Sequence, residues 1–426
     1  MPKIAVWGSW HLGTVSAACL AELGHSVLAT DLDPAIVAGL RAGRPPVSEP
    51  GLADLVRRHQ QSGSLTIRDP QDPALGEADF VFVAADTEVD DDDRVDLAGI
   101  ELLVDAAAGT LRRPELVVVQ SQVPVGTTER LVARMASRCG RPLRGVYVPE
   151  NLRLGAAIDG FLRPDRVIIG ADDATDAAAV RALLPPDREV VQMSVRSAEM
   201  SKHALNGYLA TLVSFTSEIG DLCEAVGADA YDVERALRTD RRVSPKAPIR
   251  PGFGFAGATL GRDVQSLRSL AAERGIPASL MDGVLAVNRR RCAHLLGRLE
   301  AELGSLNGQA IALLGLTYKA GTDTLRRSVS LEIARLLVDR GASVRAYDPA
   351  VSRLPQTAPL VQLAVAAEAA ARGADAVVIA TEWPEFAALD WPRIGASMRT
   401  PLVFDLKGLL PAGQPGIQLR RMGVKG

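Results

Sequence analysis

The residues best suited to chemistry lie at the start of the chain and near its middle. Gly8-Ser9-Trp10-His11-Leu12-Gly13 is followed by Asp31, 18 residues beyond Gly13. A dinucleotide fingerprint is G-x-G-x-x-G between a strand and a helix, with an acid about 20 residues further on. Gly8 permits the tight turn and Gly13 the close packing of helix on strand. The middle glycine, which lets the backbone approach a pyrophosphate, is replaced by Trp10. Trp10 either points away from the phosphates or forces a cofactor to shift. Asp31 would hold a ribose diol and repel a 2′-phosphate, so the pattern points to NAD rather than NADP; a Rossmann shell that has lost its ligand is the alternative. Lys202 and Asn206 are four apart and share one helix face. A buried lysine can act as a base or steady a developing alkoxide; a solvated polar stripe is the plain alternative. The acidic run Asp90 to Asp93 reads as a solvated loop, with no second ligand cluster to make a metal site. Cys19, Cys139, Cys223 and Cys292 are scattered and form no C-x-x-C pair, so they read as reduced, mostly buried thiols.

These side chains need a scaffold, and its pattern is legible. Lys3-Ile4-Ala5-Val6-Trp7 stops at Gly8, an Ala/Leu-rich stretch runs from Val15 to Leu23, and Ser26 to Asp31 closes a βαβ unit. Further apolar runs at 80–84, 116–120, 146–148 and 167–170 extend an alternating region of roughly 190 residues, hence a mostly parallel sheet. From Ser197, a candidate N-cap with Glu199 in the first turn, to about Gly227 there is no proline. That predicts one helix about 45 Å long, and helical patterning continues to about Leu303. A second βαβ follows: Ile311 to Gly315, a helix from Ser330, then Gly341 to Pro349. Its closing resembles that of the first, Gly24 to Asp31. The expected fold is α/β: two Rossmann-like doubly wound parallel-sheet domains joined by a central helical domain with one long helix. The boundaries are 1–196 for a dinucleotide-binding domain, 197–303 for the helical centre and 304–426 for the second Rossmann-like domain. The tail from Gln414 reads as frayed.

The chain of 426 residues is too long for one core. Hydrophobic residues make up 47% and charged residues 23%, an ordinary globular composition. A net charge of −3 without a basic block gives nucleic-acid binding no support. There is no signal-peptide pattern and no apolar stretch near ~20 residues, so no membrane span is expected and the protein is expected to be cytoplasmic.

Segment after segment then resembles one family, the UDP-glucose/GDP-mannose dehydrogenases. Residues 252–263, G-F-G-F-A-G-A-T-L-G-R-D, resemble its G-F-G-F-G-G-S-C-F-P-K-D. Ala198 to Leu209 resembles the helix A-E-x-x-K-x-x-x-N-x-x-L, in which the lysine and asparagine surround the reacting sugar carbon. Pro46 to Leu52 resembles P-x-x-E-P-G-L, Val123 to Thr128 is V-P-V-G-T-T, and Pro164 to Gly170 resembles P-D-R-x-x-x-G. Gly315-Leu316-Thr317-Tyr318-Lys319, with Thr322, Asp323 and Arg326, resembles G-L-x-F-K…T-D-x-x-R, where the lysine meets the nucleotide-sugar diphosphate. Ala374 to Trp383 is a further match. The resemblance runs in order along essentially the whole chain. It implies NAD as cofactor, bound by Gly8, Trp10, His11, Leu12, Gly13, Asp31, Thr87 and Gln122. It implies a UDP- or GDP-hexose as substrate, bound by Leu152, Lys202, Asn206, Phe255, Gly257, Tyr318 and Lys319. Arg242 is the candidate arginine, in a segment one residue different in length from the family's, where the family often reaches the sugar from a neighbouring subunit. A homodimer through the long helix is implied as well.

The departures gather at the chemistry. The cysteine that carries the family's second oxidation is Thr259. P-E-F-L-x-E reads Pro149-Glu150-Asn151-Leu152-Arg153-Leu154, V-G-T-P reads Ala85-Asp86-Thr87-Glu88, the threonine of S-T-V-P-V-G is Gln122, and F-D-x-R ends in Lys407. Lys202, Asn206, Asp263 and Glu150 remain as the candidate catalytic set, with Thr259 in the place of the nucleophile. A threonine hydroxyl is a poor nucleophile without a base. The chain therefore reads as a divergent member without the catalytic cysteine, an NAD-dependent oxidoreductase that removes one hydride from a nucleotide sugar. Three other readings stand beside it: a redox-neutral dehydratase or epimerase with tightly held NAD, a full acid-forming oxidation without covalent catalysis, and a non-catalytic nucleotide-sugar binder.

Overall fold

The computed structural model describes residues 2–90, 95–113, 116–150, 152–256, 258–325, 327–355, 358 and 361–425. Asp91, Asp92, Asp93, Asn151, Gly257 and Arg326 lie outside the described residues. The chain divides into two compact units, Met1–Ala204 and Leu205–Gly426.

In the first unit the strands in chain order are β1 (Lys3–Trp7), β2 (Ser26–Thr30), β3 (Leu65–Ile67), β4 (Phe80–Val83), β5 (Glu88–Val89), β6 (Val95–Asp96), β7 (Leu116–Val119), β8 (Arg144–Tyr147), β9 (Val167–Gly170) and β10 (Val190–Met193). β5 and β6 pair as a small antiparallel ribbon. The other eight form one sheet in the order β10-β9-β8-β7-β4-β1-β2-β3. Neighbours are parallel except β8 and β9, which meet antiparallel at Tyr147 and Gly170. Side chains alternate across the sheet. Ile4, Val6, Phe82 and Val118 pack into one buried layer, and Ala5, Trp7, Val81, Val83, Val117 and Val119 into the other. Covering both faces explains why these strands read as unbroken apolar runs. The chain winds outward in both directions from β1, with β2 on one side and β4 on the other. Such a switch point opens a crevice at the carboxyl ends of the strands, and the residues standing there are Gly8, after β1, and Ala85 and Asp86, after β4.

The second unit carries β11 (Ala310–Leu314), β12 (Ser343–Tyr347), β13 (Val361–Leu363), β14 (Ala376–Ile379), β15 (Leu402–Asp405) and β16 (Gln418–Arg421), in the parallel order β13-β12-β11-β14-β15-β16. The likeness of the two βαβ closings extends to main-chain bonds. Gly8 N–H donates to Thr30 O at 3.1 Å, and Gly315 N–H donates to Tyr347 O at 2.8 Å. The acids that end β2 and β12 differ in use. Asp31 is half-buried and takes one amide on each oxygen, Ser9 N at 2.5 Å and Asp33 N at 3.0 Å. Asp348 is buried, and its Oδ2 accepts from Leu316 N, Thr317 N, Thr317 Oγ1 and Trp383 Nε1 at 2.7 to 3.1 Å.

The long helix runs Val195–Val226, 32 residues or about 48 Å. It begins earlier than its expected cap. Ser194 is the N-cap: its carbonyl accepts from Ala198 N at 3.0 Å and its Oγ from Ser197 N at 3.3 Å, so Ser197 lies inside the first turn. The tail is not frayed either. Its main chain pairs as β16 on the sheet edge, Gly423 N donates to Glu224, and Val424 bridges Asp229.

Candidate functional site

The dinucleotide loop is built by steric necessity. Gly8 sits at φ +89°, and a Cβ there would lie 2.8 Å from the Ala85 main chain. A Cβ on Gly13 would lie 1.5 Å from Gly8 O, so the helix His11–Glu22 can start this close to β1 only with glycine at that place. Trp10 needs no glycine: its φ is −74°, and the residue is 44% exposed. Ser9 Oγ donates to Thr30 O and Thr14 Oγ1 to Ser9 O, which lock the turn over the end of β2. Thr87 Oγ1 donates to Gln122 O at 2.9 Å, joining two expected cofactor residues in one buried contact.

Two further groups meet the start of this helix. His11 Nε2 lies 3.2 Å from Glu49 Oε2. Asp86 Oδ2 accepts from Leu12 N at 3.1 Å. Asp86 is exposed, and the chain packed around its carboxyl displaces part of its water. That desolvation pushes its carboxyl above the usual aspartate range; the Leu12 amide and the His11 charge oppose the shift, and the Glu150 carboxylate adds to it.

Lys202 projects from the long helix and is 6% exposed. Its Nζ donates to Glu150 O at 2.6 Å and lies 3.4 Å from Glu150 Oε1. Glu150 Oε2 in turn accepts from Leu152 N at 2.7 Å. Two buried carboxylates hold this corner in place. Glu199 accepts from Gly126 N at 2.5 Å and Thr128 N at 2.8 Å, which ties the long helix to the start of the helix Thr127–Cys139. Glu49 accepts from Gly155 N and Ala157 N, both at 2.9 Å, fixing the segment that follows Glu150. His203 Nε2 donates to Val123 O at 2.9 Å.

In the second unit, Asn206 Nδ2 donates to Asp263, and both are buried. Thr259 is exposed in the first turn of the helix Ala258–Glu273. The segment before it is clamped by Asn288, whose amide pairs with both Phe255 N and Phe255 O. Lys319 Nζ lies 5.8 Å from the centre of the Tyr318 ring. Arg242 is exposed and forked onto Asp240 at 2.7 and 3.0 Å. Lys407 Nζ lies 3.6 Å from Glu382, and Lys407 N donates to the buried Asp405.

Three models of one family match the chain in order. They are described as its NAD-binding domain over residues 2–186, its central domain over 196–290 and its UDP-binding domain over 312–412. The chain belongs to the UDP-glucose/GDP-mannose dehydrogenase family. Among its relatives, a UDP-glucose 6-dehydrogenase of Pseudomonas aeruginosa is 36% identical over 424 residues, covering 96% of this chain and 93% of the relative. One of Rhizobium meliloti is 37% identical over 426 residues, with 96% and 95% covered. Among solved structures, a UDP-glucose dehydrogenase of Pyrobaculum islandicum superposes with a TM-score of 0.89 at 32% identity, covering 100% of this chain and 98% of that one. A UDP-D-ManNAc dehydrogenase of Pyrococcus horikoshii gives 0.87 at 25% identity, with 99% of each chain covered. The family and these neighbours are NAD-dependent nucleotide-sugar dehydrogenases, and this chain is an oxidoreductase of that kind. Among the described residues, no helix is long and apolar enough to cross a membrane.

The family's cofactor fits the first unit at its ribose end. Asp31 is held at the end of β2 by two amides and keeps an open side, and the Gly8 turn brings β1 and the first helix together beside it. The first-turn amide of Leu12, which could face a phosphate, carries Asp86 instead. Of the expected site residues, the structure joins Lys202 with Glu150, Glu150 with Leu152, Asn206 with Asp263 and Thr87 with Gln122. It leaves Arg242 on a local partner. Asp86, Glu49 and Glu199 are contributors that the sequence reading did not place in the site. Glu49 and Glu199 lie in quoted family segments, and a buried carboxylate facing two amides explains why an acid stands in each. An open groove of about 560 Å³ beside Glu49, Asp54, Arg58 and Arg163 includes none of the expected site residues.

Proposed function

We propose that this chain oxidises a UDP-sugar by a single hydride and stops at the carbonyl stage. The observation that carries this reading is Thr259, a hydroxyl at the start of the helix Ala258–Glu273, where the family resemblance has a thiol. A threonine attacks a carbonyl only when a base takes its proton. Each of the five histidines is engaged elsewhere: His11 with Glu49, His25 with Leu183 O, His59 with Glu22, His203 with Val123 O and His294 with Glu224. The cysteines offer no substitute. Cys223 and Cys292, the thiols of the second unit, are buried, and desolvation pushes Cys292 up to about 12.

The remaining groups suit the first oxidation. NAD, when bound, takes up the hydride that leaves the sugar carbon. The hydroxyl loses its proton to the Glu150 carboxylate, which passes it to water, while the Lys202 ammonium beside it steadies the alkoxide. Asn206 and Asp263 orient sugar hydroxyls. Tyr318 and Lys319 meet the diphosphate, and Phe255 and Leu152 line the sugar. The active form is a homodimer. Tyr208, Phe215, Leu222 and Val226 are 60%, 48%, 57% and 78% exposed on one stripe of the long helix, the first three a heptad apart, as a seam with a second copy requires.

The test is stoichiometric. The protein is incubated with NAD and a panel of UDP- and GDP-sugars, and NADH formed is counted per sugar consumed. One NADH, with a carbonyl trapped by hydroxylamine, is the expected result. Two would make the product an acid formed without covalent catalysis. None with an altered sugar would make the chain a redox-neutral dehydratase or epimerase, and none with an unaltered sugar a binder; each of these outcomes overturns the reading.

A further inference from the structure

The amide that could receive a phosphate at the start of the helix His11–Glu22 is taken by a carboxylate of the same unit. Four helix N-terminal amides normally lack intrahelical partners, and with the helix dipole they favour an anion. Here Leu12 N donates to Asp86 Oδ2 at 3.1 Å, and the His11 amide also faces the Asp86 carboxylate. Asp86 follows β4 and Gly8 follows β1, so both stand at the switch point of the sheet, in the crevice where this fold binds its ligand. A pyrophosphate and an aspartate carboxylate cannot share one amide. We infer that Asp86 is a resident competitor for the phosphate seat of NAD, and that NAD binds only as the carboxylate swings off Leu12 N or becomes neutral. The inference rests on the reading that NAD occupies this helix end of the matched NAD-binding domain; it does not depend on how many hydrides the enzyme removes.

The neighbours of Asp86 set the sign of a pH dependence. His11 faces it from the first helix and is itself paired with Glu49. Glu150 faces it from the segment after β8 and is paired with Lys202. Desolvation and then Glu150 favour the neutral acid, while Leu12, His11 and the His11 amide favour the carboxylate, and the net effect is an aspartate that protonates above its ordinary range. Acidification through that raised value neutralises Asp86, so NAD affinity climbs as pH falls and levels off below it. His11 faces the same carboxylate, so its contribution needs its own control.

The experiment measures NAD affinity by calorimetry, without sugar, for the whole chain and for Asp86→Gly, Asp86→Asn and His11→Gln, from mildly acidic to mildly alkaline buffer. Adenosine, which has no phosphate, serves as the comparison ligand. In neutral buffer Asp86→Gly should bind NAD at least about tenfold more tightly, because two like charges a few ångströms apart no longer oppose each other. Asp86→Asn should also gain, and in both variants the pH dependence should flatten. Adenosine affinity should stay within about twofold, and His11→Gln should keep the pH dependence. Asp86→Asn preserves the size of the side chain, so the outcome does not hang on the folding of the glycine variant. The inference is overturned if neither Asp86 variant tightens NAD, if the dependence persists in Asp86→Asn, or if it vanishes in His11→Gln alone. Failure of the single-hydride reading would show only in the NADH count, which this assay does not use.

Discussion

Lys202→Met probes the proposed site most directly. The substitution keeps much of the side-chain volume and removes the ammonium. In the structure that ammonium lies 2.6 Å from Glu150 O and 3.4 Å from Glu150 Oε1, with both side chains largely buried. At an effective dielectric near 20, the charge pair alone corresponds to about 5 kcal/mol. Desolvation of both partners cancels most of this, and the lost charged hydrogen bond is worth about 1.5–3 kcal/mol. The expected stability loss is therefore about 2–4 kcal/mol, including the cost of leaving Glu150 unpaired. The rate effect is separate, since a positioned proton acceptor or alkoxide partner contributes about 10²–10⁴-fold. Urea unfolding followed by a probe in the first unit measures the stability term. Single-turnover NADH formation at saturating substrates measures the rate. Lys202→Ala adds a third readout, because a small alkylamine in the buffer should restore part of its rate if the missing group acts chemically. A Lys202→Met enzyme that turns over at the parental rate would refute the assignment, and so would a rate loss that merely tracks unfolding.

Other outcomes follow from the supporting contacts. Glu199→Gln keeps the shape but turns an NH₂ toward Gly126 N or Thr128 N, so the first unit should lose about 2–4 kcal/mol in urea unfolding. Phe215→Glu with Leu222→Glu should convert the proposed dimer to monomer in light scattering, with little change in far-UV circular dichroism; a dimer in both proteins, or a parent chain that is already monomeric, would remove the seam. Burial pushes Glu224 up, but the His294 hydrogen bond, the Arg298 charge and the Gly423 amide outweigh it and hold the carboxyl below its ordinary value. A lowered folded-state pKa means a stabilisation that is complete above the ordinary glutamate range and is lost as pH falls through the lowered value. Glu224→Gln should therefore flatten the acid limb of the second unit's stability profile.

Six strands of the first sheet and two of the second were readable because burial on both faces demands uninterrupted apolar runs such as Phe80 to Val83 and Ala310 to Leu314. Among the elements that escaped notice, β14 and β15 are buried apolar runs that were not read as strands, while two others carry weak patterns. β3 has only three residues, and β10 is exposed at Val190 and Gln192. The tail looked polar because β16 is an edge strand carrying Gln418, Arg420 and Arg421; its main chain is paired, and its half-buried arginines meet Glu302 and Asp229. Lys202 with Glu150, and Asn206 with Asp263, were visible only as separate family segments; their pairing depends on tertiary distance, which spacing cannot supply. The fingerprint teaches the same lesson in reverse. Gly8 and Gly13 persist where the main chain itself collides with anything larger. Position 10, at a negative φ, tolerates tryptophan, since only a ligand would demand glycine there. A glycine pattern read from sequence thus reports the architecture of the loop more faithfully than its occupant, and the carboxylate on Leu12 was not signalled by any spacing rule.

The contrast between Asp31 and Asp348 bears on how many nucleotides one polypeptide can saturate. Asp348 is wrapped by donors from its own domain, so the ribose corner of the second βαβ is shut from within. Two halves that share a winding pattern are thereby unequal: titration with NAD should reach its endpoint at one equivalent per chain, and the later half is left to recognise its ligand by means other than a diol-binding acid.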